Sequence, residues 1–384
     1  MTIDVRKVTT KAEFETFLRL PWTLYKNDPN WVPPLLSMQR HKLDREHSAS
    51  WQHMEGDYFV AWRDGQPVGT IAALINHRHN EYHNERIGFF GAFECINDQA
   101  TATALLEAAT EWVRERGYDA IRGPVNFSSN DEYGLVIDGF DGLPVVLYPY
   151  NPPYYQTLIE NVPGFEKAMD LFAYKLTSDG TSDTGRLDKL RRVTLRNNEK
   201  RGIVIRTVNT RRMRQDLTIL KEIYNRAWDK NWGFVPFSER ELDELVADLG
   251  SYLEPSTTLF AEVKGEPVGF LLAIPDLNQA IHAAYPRPGK PDLLAKLQVF
   301  WHWKIRSKIN RVRIPLMGVI ETHRGIGVEA AMFMDLYHRA IATGSKWAYG
   351  DGGWVLETND DMIRLCEAHQ GTAYRRFRVY QRPC

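Results

Sequence analysis

The sequence YFVAWRDGQPVG at residues 58–69 is echoed by LFAEVKGEPVG at residues 259–269, and this echo decides the fold. Gly65, Pro67, Val68 and Gly69 return 200 positions later as Gly265, Pro267, Val268 and Gly269. In each copy an alternating apolar run meets an Asp64-Gly65 or Lys264-Gly265 pair and a second apolar run follows. That is the pattern of two antiparallel strands joined by a tight turn. Working outward, a strand, an amphipathic helix and a further strand follow each hairpin, at 86–94, 99–116 and 119–125 in the first copy and at 312–320, 327–343 and 346–349 in the second. Gly117 and Gly344 stand where a left-handed residue ends a helix. A helix near Asn151 or Asn359 and a last strand, 170–176 or 376–381, close each copy. The patternless TSDGTSDTG at 177–185 reads as a linker, so two domains are expected, 1–178 and 186–384.

Composition agrees with this division. A chain of 384 residues that is 43% apolar and 25% charged has the make-up of a globular protein with about two cores. With 48 basic and 49 acidic residues the net charge of -1 excludes the strong positive field of a dedicated nucleic-acid binder. Cys95, Cys366 and Cys384 form no CxxC pair, which suits a reduced, cytoplasmic setting. No stretch approaches the roughly 20 uncharged apolar residues of a spanning helix, and the first twenty residues carry no signal-peptide core, so no membrane partner is expected. His77, His79 and His83, with Glu81 and Glu85, read as a solvated hairpin loop, and no metal is expected. Residues 186–214 hold eleven basic side chains against two acidic ones, the pattern of a solvated helix face.

Three further segments stand out. The insertion NFSSNDEYG at 126–134 is dense in hydrogen-bonding groups and follows directly on a strand, where open α/β folds tend to place ligands. Asn126, Ser128, Asn130, Glu132 and Tyr133 are its candidate substrate-binding residues. A second insertion, 286–310, carries Leu293, Leu294, Leu297 and Phe300 at helical spacing. The sharpest local signal is GVIETHRGIGVEAAMF at 318–333, a strand that ends in a glycine-containing turn opening a helix. Such a turn offers bare backbone N–H groups at the positive end of the helix dipole, and Arg324 just before it complements a diphosphate.

With Val319, Arg324 and Gly327 at these spacings, the sequence resembles the GNAT superfamily of acyl-CoA N-acyltransferases. Glu329 stands where the family has glycine or alanine, and Cys366 where a tyrosine commonly protonates the leaving thiolate. The resemblance implies an α/β (α+β layered) fold of two tandem units, each a mixed, mostly antiparallel sheet flanked by helices. It implies acetyl-CoA or another acyl-CoA as co-substrate, held by Val319, Ile320, Arg324, Gly325, Ile326, Gly327, Val328 and Asn359, with a strand amide near Val319 or Ile320 for the oxyanion. Direct attack by a small-molecule or peptide amine would use Glu321 or His323 as the base. The first copy has ECINDQATATALL at 94–106, without glycine, and reads as a degenerate repeat whose helix is capped by Asn97 or Asp98. Three alternatives compete: a non-catalytic acyl-CoA sensor, a Fem-type transferase fed by aminoacyl-tRNA, and a dinucleotide-dependent oxidoreductase on the GxGxxA reading of Gly325, Gly327 and Ala330. Fewer than 60 residues follow that motif, too few for the remaining strands of a doubly wound sheet.

Overall fold

Both hairpins form where the sequence places their turns. Asp64 and Gly65 take φ of 50° and 75°, and Lys264 and Gly265 take 53° and 87°, the two successive positive values that a type I′ turn requires and that match the right-handed twist of the strands they join. The computed structural model describes residues 2–126, 132–177, 184–229, 231–241, 243–244, 254–342 and 347–384.

Along the chain the first copy comprises β1 (Asp4–Lys7), α1 (Lys11–Leu24), α2 (Leu36–Lys42), the hairpin β2 (Met54–Arg63) and β3 (Gln66–Asn76), α3 (His77–His83), β4 (Ile87–Cys95), α4 (Gln99–Glu115), β5 (Ala120–Gly123), β6 (Leu135–Asp138), α5 (Tyr154–Glu160) and β7 (Glu166–Thr177). The second begins with α6 (Thr184–Arg201), β8 (Ile203–Thr207), α7 (Met213–Ala227) and the hairpin β9 (Thr258–Val263) and β10 (Glu266–Pro275). It continues through α8 (Asn278–Ala284), α9 (Asp292–Phe300), β11 (Arg311–Val319), α10 (Val328–Ala342), β12 (Tyr349–Leu356), α11 (Asp360–Ala368) and β13 (Thr372–Pro383). Compactness divides the chain less simply than its two contiguous halves. The first unit is 1–171 with 278–306 and 375–384; the second is 172–277 with 307–374.

In the first unit the strand order is β1-β2-β3-β4-β5-β13, and β6 also pairs with β13. The β4–β5 pair is parallel, whereas β1–β2, β2–β3, β3–β4, β5–β13 and β6–β13 are antiparallel. α4 covers one face because Ala102, Leu105, Leu106, Ala109 and Val113 recur at helical spacing, and all are buried against Ile71, Ala73, Ile75 and Phe90. Each such Leu, Ile or Phe contributes about 1.5–3 kcal/mol of transfer free energy. Asp98 caps α4, its Oδ2 accepting from the Thr101 backbone N–H at 2.8 Å and from Thr101 Oγ1 at 2.6 Å. The second unit repeats the plan as β12-β11-β10-β9-β8, with β11 and β12 parallel and the hairpin antiparallel.

The histidine segment departs from the open loop expected of it. Asn76 caps a short helix by accepting the His79 N–H at 3.0 Å, and His79 is buried with its Nε2 2.9 Å from Glu85 Oε2. Burial pulls the His79 pKa down, while the hydrogen bond from His79 helps hold Glu85 at about 2.

Candidate functional site

The two repeats can be superposed residue by residue through their sheet registers. Ile96 N–H donates to Val68 O at 3.0 Å and Ile320 N–H to Val268 O at 2.9 Å. Thr70 lies opposite Glu94, and Phe270 opposite Gly318. Glu94 and Gly318 are therefore the same position, near the end of the fourth strand of each copy. Their surroundings differ in kind. A Cβ on Gly318 would come within 2.7 Å of the Trp228 ring, so in the second unit an indole packs onto the strand there. In the first unit the position is a carboxyl group facing a cavity.

That cavity, of about 330 Å³, falls at the small end of the range for ligand pockets. Phe17, Leu18, Trp31, Leu35, Leu135 and Tyr148 give it apolar walls, and Thr70, Glu94, Asn126 and Glu132 are among the few polar groups it meets. All of its lining belongs to the first unit. Tyr25 Oη and Tyr155 Oη donate to the same carboxyl oxygen of Glu94, Oε2, at 2.7 and 2.8 Å. Tyr155 Oη in turn accepts from the Cys95 N–H at 2.7 Å, and Tyr25 is held flat against Trp31, with ring centroids 5.2 Å apart. Burial raises the Glu94 pKa to about 7 against the pull of the two tyrosine hydrogen bonds, with a smaller upward push from Glu132. A carboxyl group that titrates near neutrality, fixed by two donors and open to an apolar cavity, is equipped to exchange a proton with a bound ligand.

The insertion expected to touch substrate contributes to this cavity in part. Asn126 and Glu132 line it. Asn126 Oδ1 accepts the Ala92 N–H at 2.8 Å and its Nδ2 donates to Glu132 Oε2 at 2.8 Å, so the pair ties the insertion to β4. Ala92 has a φ of 45°, a left-handed kink in the strand two residues before Glu94. Tyr133 is buried, its pKa raised to about 12 by that burial, and does not line the cavity. Ser128 and Asn130 lie outside the described residues. Nothing in the sequence around Glu94 sets it apart, because a single carboxylate at a strand end carries no motif. The signal that could have found it is the first copy's LYKNDPNW at 24–31, which supplies both Tyr25 and Trp31.

In the second unit β11 pairs with β12 only as far as Ile314 opposite Gly352, then runs on to Val319 alongside β10. Strand amides alternate sides, and the Ile320 N–H is taken by Val268 O. Of the two expected oxyanion donors, Val319 is thus the one whose N–H turns away from the hairpin. A single 3₁₀ turn, Glu321–His323, follows, and Gly325 and Gly327 take φ of 69° and 102° before α10 begins. Arg324 folds back, its guanidinium donating to Val319 O at 3.0 Å through Nε and to Ala227 O. Asn197 Nδ2 donates to Ile326 O at 2.8 Å, and a Cβ on Gly327 would lie 2.5 Å from that amide nitrogen. Glu329 reaches back over the turn and accepts the N–H of Gly325 and its own, while burial raises its pKa. Glu321 is exposed, and His323 is partly exposed with Nδ1 2.9 Å from Thr322 Oγ1. Asn359 caps α11, accepting the Met362 N–H at 3.2 Å.

Protein YghO of Escherichia coli (strain K12) is 32% identical to this chain over 381 residues, spanning 98% of the chain and 95% of that protein. The bacterial ceramide synthase of Caulobacter vibrioides (strain NA1000 / CB15N) is 33% identical over 388 residues, spanning 99% and 97%. The model of the acetyltransferase (GNAT) family matches residues 22–131. The chain belongs to the GNAT family. Among solved structures, a tandem GNAT protein from the clavulanic acid biosynthesis pathway covers 100% of the chain and 98% of its own length, at 10% identity and a TM-score of 0.56. A GCN5-related N-acetyltransferase from Sphaerobacter thermophilus covers 99% and 95%, at 13% identity and a TM-score of 0.51. These likenesses give the tandem GNAT fold. The family match falls on the first copy, which holds Glu94 and lacks the glycine turn.

Proposed function

We propose that this GNAT-family chain transfers a fatty acyl group from acyl-CoA to the amine of a long-chain amino alcohol, with the acceptor bound in the Glu94 cavity. The observation that carries the reading is Glu94 itself, a buried carboxyl with a pKa raised to about 7 that lines an apolar cavity. The name of the Caulobacter relative, a ceramide synthase, supports the acceptor class, because a ceramide is the amide of such an amine. In the proposed step Tyr25 and Tyr155 hold Oε2, and Oε1 takes a proton from the acceptor's nitrogen. The nitrogen lone pair then attacks the thioester carbonyl carbon, the carbon–sulfur bond breaks, and the leaving thiolate takes the second proton that the now cationic nitrogen sheds, giving an amide, free coenzyme A and a protonated Glu94. Within the second unit, the turn amides of Gly325, Ile326, Gly327 and Val328 beside Arg324, with Val319, Ile320 and Asn359, form a diphosphate site proposed separately from the Glu94 cavity.

The test is amide formation from a fatty acyl-CoA and a long-chain amino alcohol, followed by mass spectrometry. Glu94→Gln should lower kcat by roughly 10²–10⁴, whereas Glu321→Gln and His323→Ala should change it less than about threefold, since exposed groups of that kind contribute little as bases. Full activity in Glu94→Gln, or a collapse in Glu321→Gln, would move the base to the second unit.

A further inference from the structure

Among the described residues twelve large hydrophobic side chains are exposed, and six of them, Leu293, Leu294, Leu297, Phe300, Trp301 and Ile305, lie within thirteen consecutive positions. They share one stripe. Positions 293, 297, 301 and 305 repeat every fourth residue along α9 and the π-helical turn Trp301–Ile305 that extends it, while Ala295 and Val299 on the opposite side are buried. Each of the six is between 51% and 67% exposed, and so dense a patch on a soluble surface marks an interaction site.

The charge around the stripe states what covers it. From Pro286 to Arg306 the chain carries five basic side chains, Arg287, Lys290, Lys296, Lys304 and Arg306, against the single acid Asp292. All five are exposed. Asp292 is turned inward, its Oδ2 accepting the Ser37 N–H at 2.5 Å. The helix therefore presents apolar and aromatic groups rimmed only by cations. That combination fits the headgroup and acyl boundary of an anionic bilayer, where Trp and Phe settle at the interface and each nearby cation adds attraction. A protein partner's apolar groove would satisfy the stripe but leave the five cations without counter-charges.

We propose that α9 and its π-helical extension dock the protein peripherally on an anionic lipid surface. No helix among the described residues is long and apolar enough to cross a membrane, and interfacial docking requires none. The segment is firmly attached to the unit that holds the cavity: Trp22 Nε1 donates to Pro286 O at 2.9 Å, and Asn278 and Ile281 of the adjoining α8 line the cavity. Docking does not depend on the acyl-transfer chemistry and can be measured without it.

The experiment is co-sedimentation of the full chain with vesicles of phosphatidylcholine alone or with 30 mol% phosphatidylglycerol, beside its mass in solution. Wild type should pellet with the anionic vesicles and at least tenfold less with the zwitterionic ones. Leu294→Asp/Leu297→Asp should cut binding at least tenfold. Lys296→Glu/Lys304→Glu, which keeps all six side chains of the apolar stripe, should cut binding to the anionic vesicles several-fold. Melting curves confirm that each variant is folded, and the lysine pair decides the matter should the leucine pair misfold. Wild type that stays in the supernatant, or a lysine pair that binds like wild type, overturns the proposal. So does a wild-type dimer that Leu297→Asp converts to monomer, for then a second copy covers the stripe.

Discussion

At the scale of the residue, Glu94 connects proton chemistry to stability. Burial raises its pKa from the ordinary glutamate value of about 4.5 to about 7 in the folded chain, so between those two values the folded state holds a proton that the unfolded state has released. Stability then falls as pH rises from about 4.5 to about 7 and stays lowered above that. The neutral amide of Glu94→Gln escapes this cost. The variant should be more stable than wild type by roughly 2–3 kcal/mol at pH 8 and nearly equal to it at pH 4.5, measured as urea midpoints at the two values. Under the proposed chemistry the same group gives wild-type kcat/KM a rising limb centred near pH 7, which the variant lacks. Equal pH dependence of stability in the two proteins would mean that Glu94 is an ordinary solvated acid.

At the scale of the element, the turn between β11 and α10 shows what a motif conveys and what it hides. Its glycine-containing turn was legible in the sequence, and the structure adds that Gly325 and Gly327 both take positive φ. Hidden were the side chains that meet it. Asn197 comes from α6, 130 positions before Gly327, and Glu329 closes over the Gly325 N–H. The latter carboxylate takes an amide that a diphosphate would need, at the positive end of the helix. If the diphosphate sits there, Glu329→Ala should tighten coenzyme A binding by about three- to tenfold in calorimetry, by removing both the competitor and its charge. Unchanged or weaker binding would take the diphosphate elsewhere. The first copy answers the same geometric problem with Asp98, which was readable as a cap because a short acid before an apolar helix is the commonest cap signal. Elements without a side-chain period were harder. β12, with the sequence YGDGGWVL, was expected to end at Tyr349 and in fact begins there, since its glycines offer no alternation to read.

At the scale of the whole molecule, the repeat was legible because both hairpins carry the same turn chemistry, whereas the partition of the chain into units was not, because long-range strand pairing leaves no local mark. Residues 375–384 illustrate this. Tyr380 lies opposite Gly123 and Arg382 opposite Ile121 in the β5–β13 ladder. Arg378 grips Asp170 through Nε and Nη2 at 2.8 and 3.0 Å, and Tyr380 Oη donates to Glu160 at 2.9 Å. The first unit thus receives an interior strand from the far end of the sequence, and with it the bidentate partner for Asp170, which is buried. A fragment ending at 178 would leave the β5 edge open and leave that carboxylate only Lys167, at 3.8 Å, a loss of at most about 3–5 kcal/mol. That is a large part of the roughly 5–15 kcal/mol that holds a domain together. Residues 1–178 expressed alone should therefore give an aggregating or protease-sensitive product, while the full chain truncated after Ala373 should lose cooperative melting of the cavity-bearing unit. A soluble 1–178 fragment with a sharp thermal transition would show instead that the first copy closes its sheet without the last strand.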